Sequence, residues 1–186
     1  ATEASLSASA LHASTQVLNG ELILTGGTSA NAPGSAVLIS TLADDGLPGA
    51  WREGPSLPDP RSHHASVVHE GRIYLLGGFN ENNRPLESVL VSVHDAAGAL
   101  TGWEVAGELP ASPWTHGAFV HENFVWIVGG GQGGSGQEEY IATVRRAPFL
   151  TDGQVGPFDV VKDPLPIPRS HVHQTPIHNG RIYSVG

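Results

Sequence analysis

One glycine position returns along this chain at Gly26, Gly77, Gly129 and Gly186, at steps of 51, 52 and 57 residues. Ahead of each lie a turn residue (Gly20, Gly71, Asn123 and Gly180) and a short, mostly apolar segment. Ile23, Tyr74, Trp126 and Tyr183 share one register of that segment, and Leu22, Ile73, Val125 and Ile182 the register before it. The connecting halves repeat as well. Residues 37–42, 89–94 and 141–146 are rich in β-branched side chains, which suit a pleated, half-buried strand. Turns follow at Asp45-Gly46, Ala97-Gly98 and Asp152-Gly153, then an aromatic (Trp51, Trp103, Phe158), then Leu57-Pro58, Leu109-Pro110 and Leu165-Pro166. No segment sustains a 3.6-residue apolar period, so helix is essentially excluded. Each unit reads as four short antiparallel strands, A to D.

Composition agrees. Gly 24 and Pro 14 in 186 residues make a turn-rich chain, while 39% hydrophobic residues leave enough apolar surface for a core. The net charge of −9 argues against a nucleic-acid binder that works by bulk charge. With no cysteine there is no disulfide framework, no thiolate zinc site and no Tyr–Cys copper centre. No apolar run approaches the ~18 residues of a membrane-spanning helix, so membrane insertion is not expected. Arg is used almost to the exclusion of Lys, with Lys162 the single lysine, which suggests a GC-rich bacterial source. Methionine is absent and Ala1 to Ala10 carry no leader pattern, as expected of a processed or partial chain. An extracellular, periplasmic or cell-surface location is the expectation.

A period near 50 residues, four strands, a diglycine closing strand B (Gly26-Gly27, Gly77-Gly78, Gly129-Gly130) and aromatics at fixed offsets resemble the kelch repeat. The Arg61-Ser62-His63 lead into strand A is similar too. Ile23 in place of an aromatic and Asn123 in place of a glycine depart from the pattern without altering it. The resemblance implies an all-β, kelch-type β-propeller with four-stranded antiparallel blades, about three and a half of them, forming a single incomplete domain. Blade 1 spans about residues 10–57, blade 2 about 62–109, blade 3 about 114–165 and half of blade 4 about 170–186; fourteen strands are expected. Small residues at Ala13-Ser14, Ala65-Ser66 and Gly117-Ala118 suit an innermost strand A crowded near the axis. Propellers close with typically 4–8 blades. The remaining blades are therefore expected as partners, on the same longer protein or a complementary chain, and the isolated chain is expected to self-associate.

Antiparallel pairing puts the loop before strand A and the loop after strand B at one end of every blade. Loops carry function more often than strands do. The candidate ligand-binding residues at that end are Arg61, His63, His64, Arg84, Trp114, His116, Arg169, His171 and His173. Arginine there favours an anionic ligand, a carboxylate-bearing sugar or an acidic peptide; the competing reading has Arg61 and Arg169 bonding neighbouring blades. Counting back seven from the turn residues gives His64, His116 and His173, and counting back two gives His69, His121 and His178. The second set reads as structural. The first set allows a transition metal held by axial histidines, as in some propeller enzymes, although no carboxylate recurs beside them to orient the rings. Otherwise no cofactor is expected. Gly131 to Gly136 fits G-x-G-x-x-G, yet a dinucleotide fingerprint must open a helix, so an elongated B–C loop is the reading.

Three functions follow from the resemblance. The leading one is a binding module for a protein segment or carbohydrate, without catalytic residues. The second is an enzyme with an axial metal or polar pocket acting on a sugar or acidic metabolite, mutarotase-like or lyase-like. The third is a structural element of a larger secreted or cell-surface protein.

Overall fold

The computed structural model describes residues 11–29, 32–111, 113–133, 138–172, 177–178 and 181–183. In chain order the strands are β1 (Ser14–Leu18), β2 (Glu21–Thr25), β3 (Thr28–Ser29), β4 (Ala32–Pro33), β5 (Val37–Leu42) and β6 (Pro48–Glu53). They continue with β7 (Ala65–His69), β8 (Arg72–Leu76), β9 (Ser88–His94) and β10 (Leu100–Glu108). The last are β11 (Gly117–His121), β12 (Phe124–Val128), β13 (Gly131–Gln132), β14 (Glu139–Tyr140), β15 (Val144–Pro148), β16 (Asp159–Val160), β17 (Ile177–His178) and β18 (Arg181–Ile182). Among the described residues there is no helix.

Three antiparallel four-stranded sheets result, in the orders β1-β2-β5-β6, β7-β8-β9-β10 and β11-β12-β15-β16, with β17-β18 opening a fourth. The fold is therefore an all-β, blade-by-blade propeller arrangement. β1, β7 and β11 pack side by side as the innermost strands. Four further strands, β3-β4 and β13-β14, form small hairpins inside the B–C loops of blades 1 and 3. They raise the count above the fourteen expected. One of them also corrects the third strand C. Residues 139–140 pair with β13, Ile141 N–H donates to Gly130 O at 3.0 Å, and strand C begins only at Val144 rather than at residue 141.

Side chains alternate across each strand, so a blade can present two apolar faces, as blade 2 does. Ile23, Val37, Ile39 and Leu57 of blade 1 bury against Ile73, Leu75 and Leu90 of blade 2. The other face of blade 2, with Tyr74, Leu76, Val89 and Val91, buries against Val125, Ile127, Ala147 and Phe149 of blade 3. Tyr74 spans that seam, its hydroxyl donating to Gly153 O at 3.1 Å. His69 stacks on Phe149 at 4.0 Å between centroids and pairs with Asn123 Oδ1 at 2.9 Å, which fits the structural reading of that histidine.

The diglycine is the latch between blades. The second glycine donates its N–H to the D–A loop of the following blade: Gly27 to Arg61 O at 2.9 Å, Gly78 to Pro113 O at 3.2 Å, Gly130 to Arg169 O at 2.7 Å. At the first glycine a Cβ would lie 2.2 Å from Arg61 O in blade 1, and φ is +59°. Only glycine admits both the left-handed backbone and that approach. A second tie runs around the axis, from His63 N–H to His12 O, Thr115 N–H to His63 O and Val172 N–H to Thr115 O, each at 3.0 Å. His12, His63, Thr115 and His171 all adopt positive φ, between 49° and 58°, to make it.

Candidate functional site

The loops before strand A and after strand B do gather at one end of the blades, and they are well built. In blade 2, Asn80 Oδ1 accepts from Asn82 N–H and Arg84 N–H, each at 3.0 Å, fixing the B–C turn. In blade 3 the β13-β14 hairpin is clamped by Gln132 Nε2 donating to Glu139 Oε2 at 2.8 Å. That hairpin contains Gly131 and Gln132, so the G-x-G-x-x-G string opens no helix there; residues 134–137 lie outside the described residues.

A row of rings crosses this end. His12 stacks on His63 at 3.8 Å between centroids, His63 meets Phe79 edge-on at 5.8 Å, Phe79 meets Trp114 at 5.1 Å, and Trp114 meets Tyr140 at 6.2 Å. The ends of the row, His12 and Tyr140, are exposed; His63 and Phe79 are half-buried. Ser62 Oγ lies 3.0 Å from His63 Nδ1, and Ser170 Oγ lies 3.0 Å from His171 Nδ1, so the Arg-Ser-His lead repeats its geometry in blades 2 and 4.

Several of the nine sequence candidates are not on the exposed surface of this end. Arg61 is 0% exposed. Its guanidinium donates to Gly77 O at 3.2 Å, Ser88 O at 3.3 Å and Ser88 Oγ at 2.8 Å, clamping the loop to blade 2. Burial pulls its pKa down to about 10, opposed by Asp59. It is a structural arginine. Trp114 is likewise buried, its ring against Gly131 and its Nε1 donating to Gly133 O at 3.2 Å, so it anchors the hairpin from below. Arg84 and His171 are exposed and Arg169 is half-buried. Asp59, Glu81, Glu138 and Glu139 are exposed on the same loops. With Arg61 withdrawn, the surface charge at this end leans acidic, and the preference for an anionic ligand loses its basis.

His64 and His116 turn the other way, into a cavity of about 300 Å³ at the axis lined also by Ser14, Gln16, Ser66 and Ala118. His64 Nε2 lies 3.1 Å from Thr25 Oγ1, while His64 Nδ1 and both nitrogens of His116 have no hydrogen-bond partner among the described residues. Burial, then the nearby Arg61, pulls the pKa of His64 down to about 3, and burial pulls that of His116 down to about 4. Both rings are neutral at pH 7. Among the described residues no three histidines or carboxylates converge as a metal site. His173 lies outside the described residues. Arg61 precedes the end of β7 (His69) by eight positions, whereas Arg169 precedes the end of β17 (His178) by nine. The lead of blade 4 is thus one residue longer than that of blade 2, and within it Val172 N–H donates to Thr115 O as Thr115 N–H does to His63 O.

Tyr140 was absent from the sequence candidates because the repeat alignment placed it at the edge of strand C. The length of its loop, from Gly130 to Val144 against Gly27 to Val37 in blade 1, was the available signal.

A kelch-motif family model matches residues 60–91. Human Kelch-like protein 33 is 32% identical over 133 residues, covering 72% of this chain and 23% of that protein. Zebrafish (Danio rerio) Kelch-like protein 40a is 32% identical over 88 residues, covering 46% of this chain and 14% of that protein. This chain is a kelch-repeat protein. The kelch blades also match the solved structure of YjhT with a TM-score of 0.65 over 86% of this chain and 53% of that one, at 16% identity, a likeness of fold. The chain spans less than a quarter of those two curated relatives and about half of the solved chain.

Proposed function

We propose that this kelch chain is a protein-binding propeller module whose D–A and B–C loop end receives a peptide segment bearing aromatic and basic side chains. The observation that carries the reading is the row of rings from His12 to Tyr140, which crosses three blades and is exposed at both ends. Its half-buried middle offers stacking surface, and tyrosine is favoured at binding hot spots because it gives large contact at little entropic cost. Glu81, Glu138 and Glu139 stand exposed on the flanking loops and suit lysine or arginine on the partner. Nothing in this reading requires chemistry at the face.

A phage-displayed random peptide library selected against the chain tests it. Selected peptides are expected to be enriched in aromatic and basic residues. They are expected to lose at least tenfold in affinity with Tyr140→Ala and to be unaffected by Asp95→Ala on the opposite end. Selection of acidic peptides, or binding insensitive to Tyr140→Ala, contradicts the reading. A glycan array is the second arm: glycan binding at this face in place of peptide binding overturns the choice of partner class.

A further inference from the structure

Blades 2 and 3 fill one position of their outer strand differently. Trp103 and Phe158 each stand five residues after a turn glycine, Gly98 and Gly153. Trp103 reaches back to blade 1, where its Nε1 donates to Pro55 O at 3.0 Å and its ring packs against the cluster that contains Leu57. Phe158 is half-buried, is one ring smaller and has no N–H to send. Beside it the seam between blades 2 and 3 holds an open groove of about 510 Å³, lined by Glu108-Leu109-Pro110 of blade 2 and residues 155–158 of blade 3. One seam earlier their counterparts are Ser56-Leu57-Pro58 and residues 100–103, and there the Trp103 indole bridges the two blades. The local sequence makes the gap. Pro157 has no N–H for a ladder, and strand D of blade 3 is reduced to the two residues of β16, against nine in β10. Gly156 N–H donates to Pro148 O at 2.9 Å, and a Cβ on Gly156 would lie 2.9 Å from Pro148 Cγ. The stretch is held against β15, and the space an indole would take stays open. The polar edge of the groove is acidic. Glu108 lines it and Asp159 follows Phe158, both exposed and, among the described residues, without an ion-pair partner; no basic side chain lines it.

We infer that this groove is a docking site for a tryptophan of a partner protein, carried on a segment with lysine or arginine beside it. The indole takes the place that Trp103 takes in the preceding seam, against Leu109, Pro110 and Phe158, and the flanking cation meets Glu108 and Asp159. The internal repeat supplies the template, because Trp103 shows which side chain a seam of this shape accepts. A buried indole is a strong anchor at an interface, and an acidic edge selects for basic neighbours and against acidic ones. The groove lies along the outermost strands, β10 and β16, and shares no residue with the row of rings at the loop end. It is therefore a second surface, separate from the peptide face proposed above.

The test is an NMR titration of the chain with the capped peptide Arg-Trp-Arg, with Arg-Ala-Arg and Glu-Trp-Glu as comparisons. Saturable shifts are expected at Leu109, Val155 and Phe158, with an affinity at least fivefold above that of either comparison peptide. Phe158→Trp supplies the indole from within the chain, and is expected to weaken Arg-Trp-Arg binding at least tenfold at an unchanged or higher melting temperature. Should that variant fail to fold, Glu108→Arg at an exposed position reads the same site, and is expected to reverse the preference between Arg-Trp-Arg and Glu-Trp-Glu. Shifts confined to the row of rings from His12 to Tyr140 overturn the inference and leave the loop-end reading standing. Equal binding of Arg-Ala-Arg, binding unaffected by Phe158→Trp, or no saturable shift at millimolar peptide also overturns it.

Discussion

Arg61→Ala separates a structural arginine from a ligand-binding one. The buried guanidinium makes three hydrogen bonds, to Gly77 O, Ser88 O and Ser88 Oγ. Bonds to charged groups contribute about 1.5–3 kcal/mol each, and acceptors left buried and unpaired cost about 1–3 kcal/mol each. Against this stands the cost of burying the cation. Lowering the pKa from 12.5 to about 10 corresponds to about 3 kcal/mol against the charged form. Removal of the side chain relieves that penalty but strands the three acceptors in the interior and leaves a void where the guanidinium packed. A net loss of about 2–4 kcal/mol is expected for Arg61→Ala, read as a lower urea midpoint at unchanged m-value. Arg61→Lys keeps the charge but cannot fork to the three acceptors, and is expected to recover less than half of the loss. Arg84→Ala, on an exposed turn, is expected to change stability by less than about 0.5 kcal/mol. A stable Arg61→Ala chain that has lost peptide binding would refute the clamp and restore Arg61 to the ligand face.

Three further outcomes are expected. His64 and His116 have folded pKa values of about 3 and 4 against 6.5 in the unfolded chain, so the unfolded state takes up protons first as pH falls. The contribution is full well above pH 6.5 and is lost as pH falls from about 6.5 through 4 for His116 and 3 for His64, with a slope approaching about 3 kcal/mol per pH unit near pH 5; His116→Gln should roughly halve that slope in urea melts. Gly131→Ala would place a Cβ 2.4 Å from the Trp114 ring and is expected to cost about 1–3 kcal/mol, with a red-shifted tryptophan emission as the indole is displaced. Gly26→Ala would set a Cβ 2.2 Å from Arg61 O at a positive φ, and is expected to lower the melting temperature more than Gly46→Ala, whose Cβ meets nothing within 4 Å.

Much of the architecture was legible because a repeat states its own register. The glycine steps located strands A and B, and the alternation of apolar residues anticipated which faces pack. Diglycine conservation of geometry was readable as a close approach, though not which atom is approached; that needs the following blade's carbonyl. The site was less legible. His63 and His64 are neighbours in sequence, but the left-handed backbone at His63 sends one ring to the loop face and the other into the axial cavity. Arg61 looks like a ligand residue by type, and only the Gly77 and Ser88 acceptors reveal that its charge is consumed inside the fold. Tyr140 escaped because a hairpin within a loop carries no periodic signal, so the repeat alignment ran straight through it.

Amide hydrogen exchange of the chain with and without a selected peptide tests the central claim most directly. The account predicts added protection confined to the D–A and B–C loops, at His12, His63, residues 79–84, Gly131–Gln132 and Glu139–Tyr140. Protection centred instead on the A–B and C–D turns at the opposite end, around Gly71, Gly98 and Gly153, would contradict it.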